Sequence, residues 1–346
     1  LSKPGSTMEM LAGDGAAALL LGSEDVLARF VGSHSVACDL VDHYRGAQAR
    51  YDYVLEERWV REEGYLKIVP RAVAGLLGKT GVAPAQIDRF VLGGLQDGAA
   101  RAVAKACGIA ESAVQPGLIE KCGYSGCAYP LLMLCAALEA AAPGERILLL
   151  GFGQGCDALL FETTGRIAEV RDFHGVGAAL QQGRADDNYL RYLAFNRLLD
   201  LDLGMREERE TRTAQSAHFR AREAITAFVG GRCTACDTLQ FPKTRYCVNP
   251  ACNRAATQVA EPLREKIGEV KSFTEDWLAL SRNPPLMYGN VRFADKAVLM
   301  MEFTGFAPGE IAIGTPVRME FRIKDFDSLR GFHRYFWKAA RVPGVA

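Results

Sequence analysis

Four cysteines in the last third of the chain, Cys233, Cys236, Cys247 and Cys252, fall as a C-x2-C pair and a C-x4-C pair separated by ten residues. Two thiols so close in a loop can face one ion, and two such loops complete a tetrahedral thiolate cage for zinc. Four thiolates leave no coordination position open to water or substrate, so the zinc expected here is structural. Without a metal, the intervening Phe241-Pro242 loop would have no core on which to fold. The other six of the ten cysteines are scattered and read singly as small buried hydrophobes.

The second set of residues with chemical scope is a series of small-residue loops: Gly93-Gly94, Cys122-Gly123-Tyr124-Ser125-Gly126, and Gly151-Phe152-Gly153-Gln154-Gly155. Apolar patterning gives the elements that must hold them. Residues 16–22 form an unbroken small-and-apolar run, the pattern of a buried strand, and residues 26–36 give a second strand. Leu66, Val69, Val73, Leu76 and Leu77 recur at helical spacing until Thr80-Gly81. A short strand at 89–92, a helix at 99–107 stopped by Gly108, and a helix at 131–142 ended by Pro143-Gly144 follow. Residues 146–151 and 158–162 are two more buried strands. The result is a layered α/β unit with glycine loops at strand ends, where such proteins bind ligands. In any one loop the glycines serve turn geometry equally well.

Composition shifts near Arg166. Residues 189–201 read as an aromatic-rich helix and 205–228 as a charged helix leading into Gly230-Gly231. Beyond the cysteines, short strands with turn signals, such as 297–303 and 316–323, have the texture of a small β barrel. The expected divisions are 1–165 for the α/β unit, 166–230 for a linker and helical arm, 231–258 for a zinc ribbon and 259–346 for the barrel. The tail from Arg330 to Lys338 interleaves basic and aromatic residues. That pattern can stack an adenine and pair with phosphates, but an amphipathic final strand is the preferred reading.

The 346 residues are 49% apolar and 24% charged, and 41 Lys plus Arg balance 41 Asp plus Glu. This is a globular profile with no bulk field for nucleic acid or an anionic membrane. No apolar stretch approaches the ~20 residues of a membrane span, and residues 1–6 are too polar for a secretory leader. Scattered cysteines with one tight cluster suggest a reduced, cytoplasmic compartment. The chain opens on Leu1 rather than Met, and Gly13-Asp14-Gly15-Ala16-Ala17-Ala18 looks like the middle of a longer unit.

Residues 187–341 resemble the acyl-CoA-associated zinc-ribbon and OB-fold family. The residues carrying the likeness are Gly231-Arg232-Cys233-x2-Cys236, Phe241-Pro242, Cys247, Cys252 and Gly314-Thr315-Pro316-Val317. The resemblance implies a helical arm, a rubredoxin-like ribbon and a five-stranded barrel, fused to or complexed with a thiolase-like enzyme. It also implies a helper role, bridging to that partner or holding coenzyme A.

Residues 13–162 resemble the second half of HMG-CoA synthase, in the thiolase-like superfamily, and more distantly ketoacyl synthase III. The likeness runs in order through the Gly-Asp-Gly-Ala-Ala-Ala segment, residues 39–45, the helix before Pro84, the strand to Leu92, Tyr124-Ser125-Gly126 with Pro130, and residues 151–155. It implies two similar halves packed as α-β-α-β-α layers, a dimer, and a coenzyme A thioester as substrate. In such enzymes the amino half supplies a nucleophilic Cys, and the carboxyl half a His and an Asn. Here Gly93 stands at the His position and Cys122 at the Asn position. Cys122 is the candidate catalytic thiol, as nucleophile or acid, or equally an inert space-filler on its glycine-rich loop, and the resemblance implies Gly123, Tyr124, Ser125, Gly126, Gly153 and Gly155 as substrate loops. Asp97 and Asp157 are weaker candidates, and His34, His43, His174, His218 and His333 read as structural.

A carboxyl half alone would leave an apolar layer facing water, at roughly 25 cal/mol per Å². A partner half is therefore expected, on the same polypeptide or another chain, within a homodimer or a complex with a thiolase. Two functions are open: an acyl-CoA enzyme that forms or cleaves a carbon–carbon bond with an altered acid/base set, or a non-catalytic scaffold for an active thiolase. A free-standing coenzyme A-binding module in residues 187–346 is a third.

Overall fold

The computed structural model describes the chain except residues 1, 171–174, 200, 203, 206–211, 213, 295–296 and 343–346. It divides into two compact units, Leu1–Gly183 and Arg184–Ala346.

The first unit is built on β1 (Ala28–Ala37), β2 (Arg89–Gly93), β3 (Arg146–Gly153) and β4 (Gly155–Thr163), in the spatial order β1-β4-β3-β2. β2 and β3 run parallel with Gly93 opposite Gly151, while β4 is antiparallel to both its neighbours. Three helices cover the sheet: α1 (Leu66–Thr80), α2 (Asp97–Ala106) and α3 (Tyr129–Ala140). Successive strand residues point to opposite faces. Leu148 and Leu150 accordingly join Val69, Val73 and Leu76 of α1 and Val103 of α2, whereas Ile147 and Leu149 join Tyr129, Met133 and Leu134 of α3. Burial on both faces explains why these strands read as continuous apolar runs. The result is one α-β-α sandwich.

One part of this unit lacks cover. Residues 16–22, expected as a buried strand, take no regular secondary structure and pair with no strand among the described residues. Leu20 is fully exposed and Leu21 is 87% exposed. Apolar content alone does not make a strand: its N–H and C=O groups need a neighbouring ladder. The chain is held at Gly13, whose N–H donates to the Tyr124 carbonyl at 3.0 Å, and at Gly15, where a Cβ would lie 2.7 Å from Leu132 Cδ1. α3 is apolar around most of its circumference; Leu131, Leu132 and Ala136 are partly buried, and Val176 and Leu180 of the short helix Val176–Gln181 pack against the same cluster.

In the second unit β5 (Val229–Cys233), β6 (Leu239–Gln240) and β7 (Gln258–Pro262) form a ribbon in the order β6-β5-β7. β8 (Gly268–Asp276), β9 (Leu286–Phe293), β10 (Val298–Thr304), β11 (Pro316–Asp327) and β12 (Phe332–Arg341) close a barrel in the order β8-β9-β10-β12-β11. Inward residues such as Val270, Val291, Phe293, Met301, Val317 and Ala339 fill it, with Phe228 and Leu263 from the ribbon side. Closure removes free strand edges.

The helices before the ribbon are shorter than their composition suggests. The stretch 189–201 is helical only over Tyr189–Phe195, ending before Arg197 at φ 55°. The stretch 205–228 holds two short helices, Gln215–Arg220 and Arg222–Ile225, and residues 206–211 and 213 of it lie outside the described chain. Alanines occupy both N-cap positions, and neither supplies a capping side chain.

Candidate metal centre and candidate active site

The ribbon brings Cys233, Cys236, Cys247 and Cys252 together, with all four Sγ atoms within 4.8 Å of one another. Cys233 Sγ lies 3.8 Å from Cys252 Sγ, and Cys236 Sγ lies 3.5 Å from Cys247 Sγ. A tetrahedron with Zn–S bonds of ~2.3 Å has edges of about 3.8 Å, so the four sulfurs fit such an ion. Thr257 Oγ1 lies 3.1 Å from Cys233 Sγ, and Thr238 Oγ1 lies 3.3 Å from Cys236 Sγ. The Thr257 hydroxyl, followed by backbone N–H groups, pulls Cys233 down to about 6, and Thr238 likewise lowers Cys236. Burial and the neighbouring thiols push Cys247 and Cys252 the other way, so that without an ion the four sulfurs cannot all be thiolates together, and a cation would supply the missing charge.

The glycine loops of the first unit meet at the carboxyl ends of the parallel strands β2 and β3. Such ends are where open α/β sheets present ligand sites. Glycine is required there by close packing. A Cβ at Gly93 would lie 2.7 Å from Pro130 Cγ and 2.9 Å from its Cα, and one at Gly94 would lie 2.3 Å from the Tyr65 hydroxyl. Position 93 thus lacks a side chain and, in this packing, the room for one. The Tyr65 ring lies 4.3 Å from that of Phe152 at the end of β3.

Cys122 ends the short helix Ile119–Cys122, and its Sγ donates to the Leu118 and Gly123 carbonyls at 3.4 and 3.6 Å. Burial raises its pKa, so the thiol form is favoured and a nucleophilic thiolate is not. Gly123 has φ 71°, and its backbone packs so closely on Gly13 that a Cβ would lie 2.7 Å from Gly13 Cα. Tyr124 pairs with Ala12 across this contact, and burial raises its phenol above the ordinary range. Ser125 Oγ is buried without a hydrogen-bond partner among the described residues. Gly126, at φ 61°, opens the turn into α3. Gly153 and Gly155 pair across the β3–β4 hairpin. Gly155 has φ 113°, and a Cβ there would lie 1.9 Å from the Val36 carbonyl oxygen. These two glycines shape the hairpin, while residues 122–126 line the entry to α3.

Asp157 is exposed on β4, and the side chain of Asp97 and all of His174 lie outside the described residues. His34 packs on α1, where a Cβ at Gly75 would lie 2.3 Å from its Nε2. His333 lies 2.6 Å from Arg197 Nη2. His43 is different. Its Nδ1 lies 2.6 Å from Asp42 Oδ1 and its ring meets Tyr124 edge-on at 6.2 Å, which sets an imidazole beside the 122–126 loop. Asp42 is 6% exposed, and its backbone carbonyl accepts from Leu55 N–H at 3.0 Å. The bond to Asp42 raises the His43 pKa, burial opposes this, and the charges of Asp42 and Asp52 add to the rise. The sequence signal was an Asp-His pair in a loop after a strand, which says nothing of its neighbours until the fold is known.

On the barrel, the tail forms β12, antiparallel to β11. Its basic residues already face carboxylates: Lys338 with Glu302 at 2.6 Å, Arg330 with Asp327 at 2.6 Å, and Arg334 with Asp325. Phe321 and Tyr335 stack at 5.3 Å and, with His218 and His333, line a cavity of about 350 Å³. Among the described residues no helix is long and apolar enough to cross a membrane.

Residues 77–161 match the 3-oxoacyl-[acyl-carrier-protein] synthase III C-terminal family, and residues 226–257 match the ChsH2 rubredoxin-like zinc ribbon domain. The hydroxymethylglutaryl-CoA synthase of Methanopyrus kandleri is 31% identical over 172 residues, 49% of this chain and 49% of that protein. The Methanosarcina barkeri enzyme is 32% identical over 196 residues, 55% of each. The chain thus spans about half the length of the curated relatives it matches. Among solved structures, an Ltp2-ChsH2(DUF35) aldolase chain aligns at TM-score 0.29 and 21% identity, covering 38% of this chain and 98% of that one. The synthase III of Aquifex aeolicus aligns at TM-score 0.35 and 17% identity, covering 41% and 46%. The molecule is therefore a fusion of thiolase-like and zinc-ribbon parts. Its α/β region is homologous to part of hydroxymethylglutaryl-CoA synthase, and its ribbon is of the ChsH2 kind, followed by a strand-rich region.

Proposed function

We propose that this chain is the carboxyl part of an acyl-CoA enzyme that forms or cleaves a carbon–carbon bond, with an acid/base set that departs from that of hydroxymethylglutaryl-CoA synthase. The observation that carries the reading is the convergence of residues 93–94, 122–126 and 152 at the carboxyl ends of β2 and β3, with His43 and Asp42 beside them. Residues 122–126 and the β3–β4 hairpin at Gly153 and Gly155 are the proposed thioester-facing loops. Cys122, carried as the candidate thiol, serves better as a proton donor than as a nucleophile, because its burial favours the protonated form. The nucleophilic Cys is assigned to an amino half that covers the outer face of α3 and pairs with residues 16–22. That half belongs to the same polypeptide or to a second chain, in a homodimer or a complex with a thiolase. Residues 1–165, 166–230, 231–258 and 259–346 are proposed as thiolase-like half, arm, ribbon and OB-type barrel. Cys233, Cys236, Cys247 and Cys252 would hold a structural zinc, which supplies cross-linking and no chemistry.

The tight fit of Gly93 on Pro130 favours a second reading, a scaffold that has lost its chemistry and presents the ribbon and barrel to an active thiolase. Incubation of the intact protein with acetyl-CoA and propionyl-CoA, followed by intact mass measurement, separates the two. An acyl mass increment supports the enzyme; its absence with every short acyl-CoA tested supports the scaffold.

A further inference from the structure

Three observations single out His43. A buried carboxylate is costly unless it is hydrogen-bonded, and Asp42 meets that need through the His43 ring at 2.6 Å. That bond fixes the neutral tautomer with Nδ1–H donating to Asp42, which leaves the lone pair on Nε2. Nε2 forms no hydrogen bond with a described residue, and the side chain is 31% exposed. The dyad is also well placed. The ring borders Tyr124 in the loop where residues were expected to act on substrate, and the Tyr65 phenol under Gly94 is raised first by burial and then by the Asp42 charge. Besides Asp42, the groups facing His43 are Asp52, itself 3.3 Å from Arg45, and the phenol of Tyr124.

From this geometry we infer that His43 is the acid–base residue of the site, with Asp42 as its positioning residue, in place of the side chain that position 93 cannot hold. The inference rests on the acyl-CoA reading above. The step assigned to it is proton transfer at the carbon next to a thioester carbonyl. Nε2 takes the proton, and the C–H electron pair becomes the C=C bond of the thioester enolate, with the negative charge on oxygen. Asp42 remains a carboxylate and holds the Nδ1–H of the resulting imidazolium. Returning the proton reverses the step, so it serves condensation and cleavage alike and needs no co-reactant.

The test follows deuterium entering the acetyl group of acetyl-CoA in D2O, by mass spectrometry, with the complete assembled protein. Wild type is expected to exchange. His43→Gln should slow exchange by about 100-fold or more, the usual scale of a general base. His43→Gly should recover part of the rate with added imidazole, a response that a purely structural residue would not give. Asp42→Asn should lower the rate and move the acid limb of its pH profile to lower pH, since the bond that raises His43 is weakened. If wild type and His43→Gln exchange equally, the assignment to His43 falls while the acyl-CoA reading stands. If His43→Gly is slow but imidazole restores nothing, the assignment also falls. If wild type exchanges with neither acetyl-CoA nor propionyl-CoA, both fall together.

Discussion

The two units solve the problem of covering apolar surface in different ways. The second unit closes on itself: its five barrel strands leave no free edge, and its ribbon gathers four thiols into one cluster. The first unit has a sheet with helices on both faces, yet keeps an unpaired apolar run. The difference teaches that a complete set of internal contacts and a complete binding site are separate achievements. The ribbon site is built wholly from residues within one short segment. The proposed α/β site collects residues spread from 42 to 155, which only the tertiary fold brings together.

The largest effect that would sharpen this contrast is metal removal. Zinc binding at such ribbons is worth on the order of 10–16 kcal/mol, so Cys236→Ser or a strong chelator should unfold the ribbon. Limited proteolysis should then cut within residues 229–262, and zinc content should fall from one per chain, while the melting of the α/β unit stays put. Next comes the sandwich core. Phe90 is fully buried between β3 and the helices, and Phe90→Ala should cost roughly 3–5 kcal/mol in denaturant unfolding of the α/β unit without loss of zinc. Smaller is a pair of glycine substitutions with opposite signs. Gly93→Ala meets Pro130 at 2.7 Å and should destabilise by roughly 1–3 kcal/mol. Gly98→Ala, in α2 with nothing within 4 Å, should stabilise by about 0.5 kcal/mol. Smallest is Leu20→Asp, which in this chain alone should stay within about 0.5 kcal/mol of wild type. In the assembled protein it should weaken association, as read by sedimentation, and an unchanged assembly there would break the comparison.

Much of this architecture was legible before any coordinates. The continuous apolar runs at 146–151 and 158–162, the helical spacing from Leu66 to Leu77, and the stop at Thr80-Gly81 are local signals, and the fold obeyed them. The metal cluster was legible for the same reason, since its four residues and their spacing lie close in sequence. Residues 16–22 were misjudged because pairing depends on a neighbour that patterning does not reveal. The aromatic stretch was overextended because composition does not reveal the stop before Arg197 at φ 55°, and the described part of 205–228 is broken at Ala221, where no side chain caps the next helix. Around the α/β site, the exchange of His for Gly at position 93 was visible, but its steric reason, Pro130 arriving from another element, was not. His43 was passed over since its value lies in Asp42 being buried and Tyr124 being adjacent, facts that only the tertiary arrangement supplies.

The bare run Ala16-Ala17-Ala18-Leu19-Leu20-Leu21 also bears on how the molecule must be handled. An apolar stretch without charge or proline, open to solvent, is a template onto which a second copy can add itself. A preparation of this chain by itself should therefore cloud or form soluble clusters as its concentration rises, and a mate that binds the run should restore a single species. Colloidal behaviour becomes a reporter of assembly, readable by light scattering long before any turnover is measured.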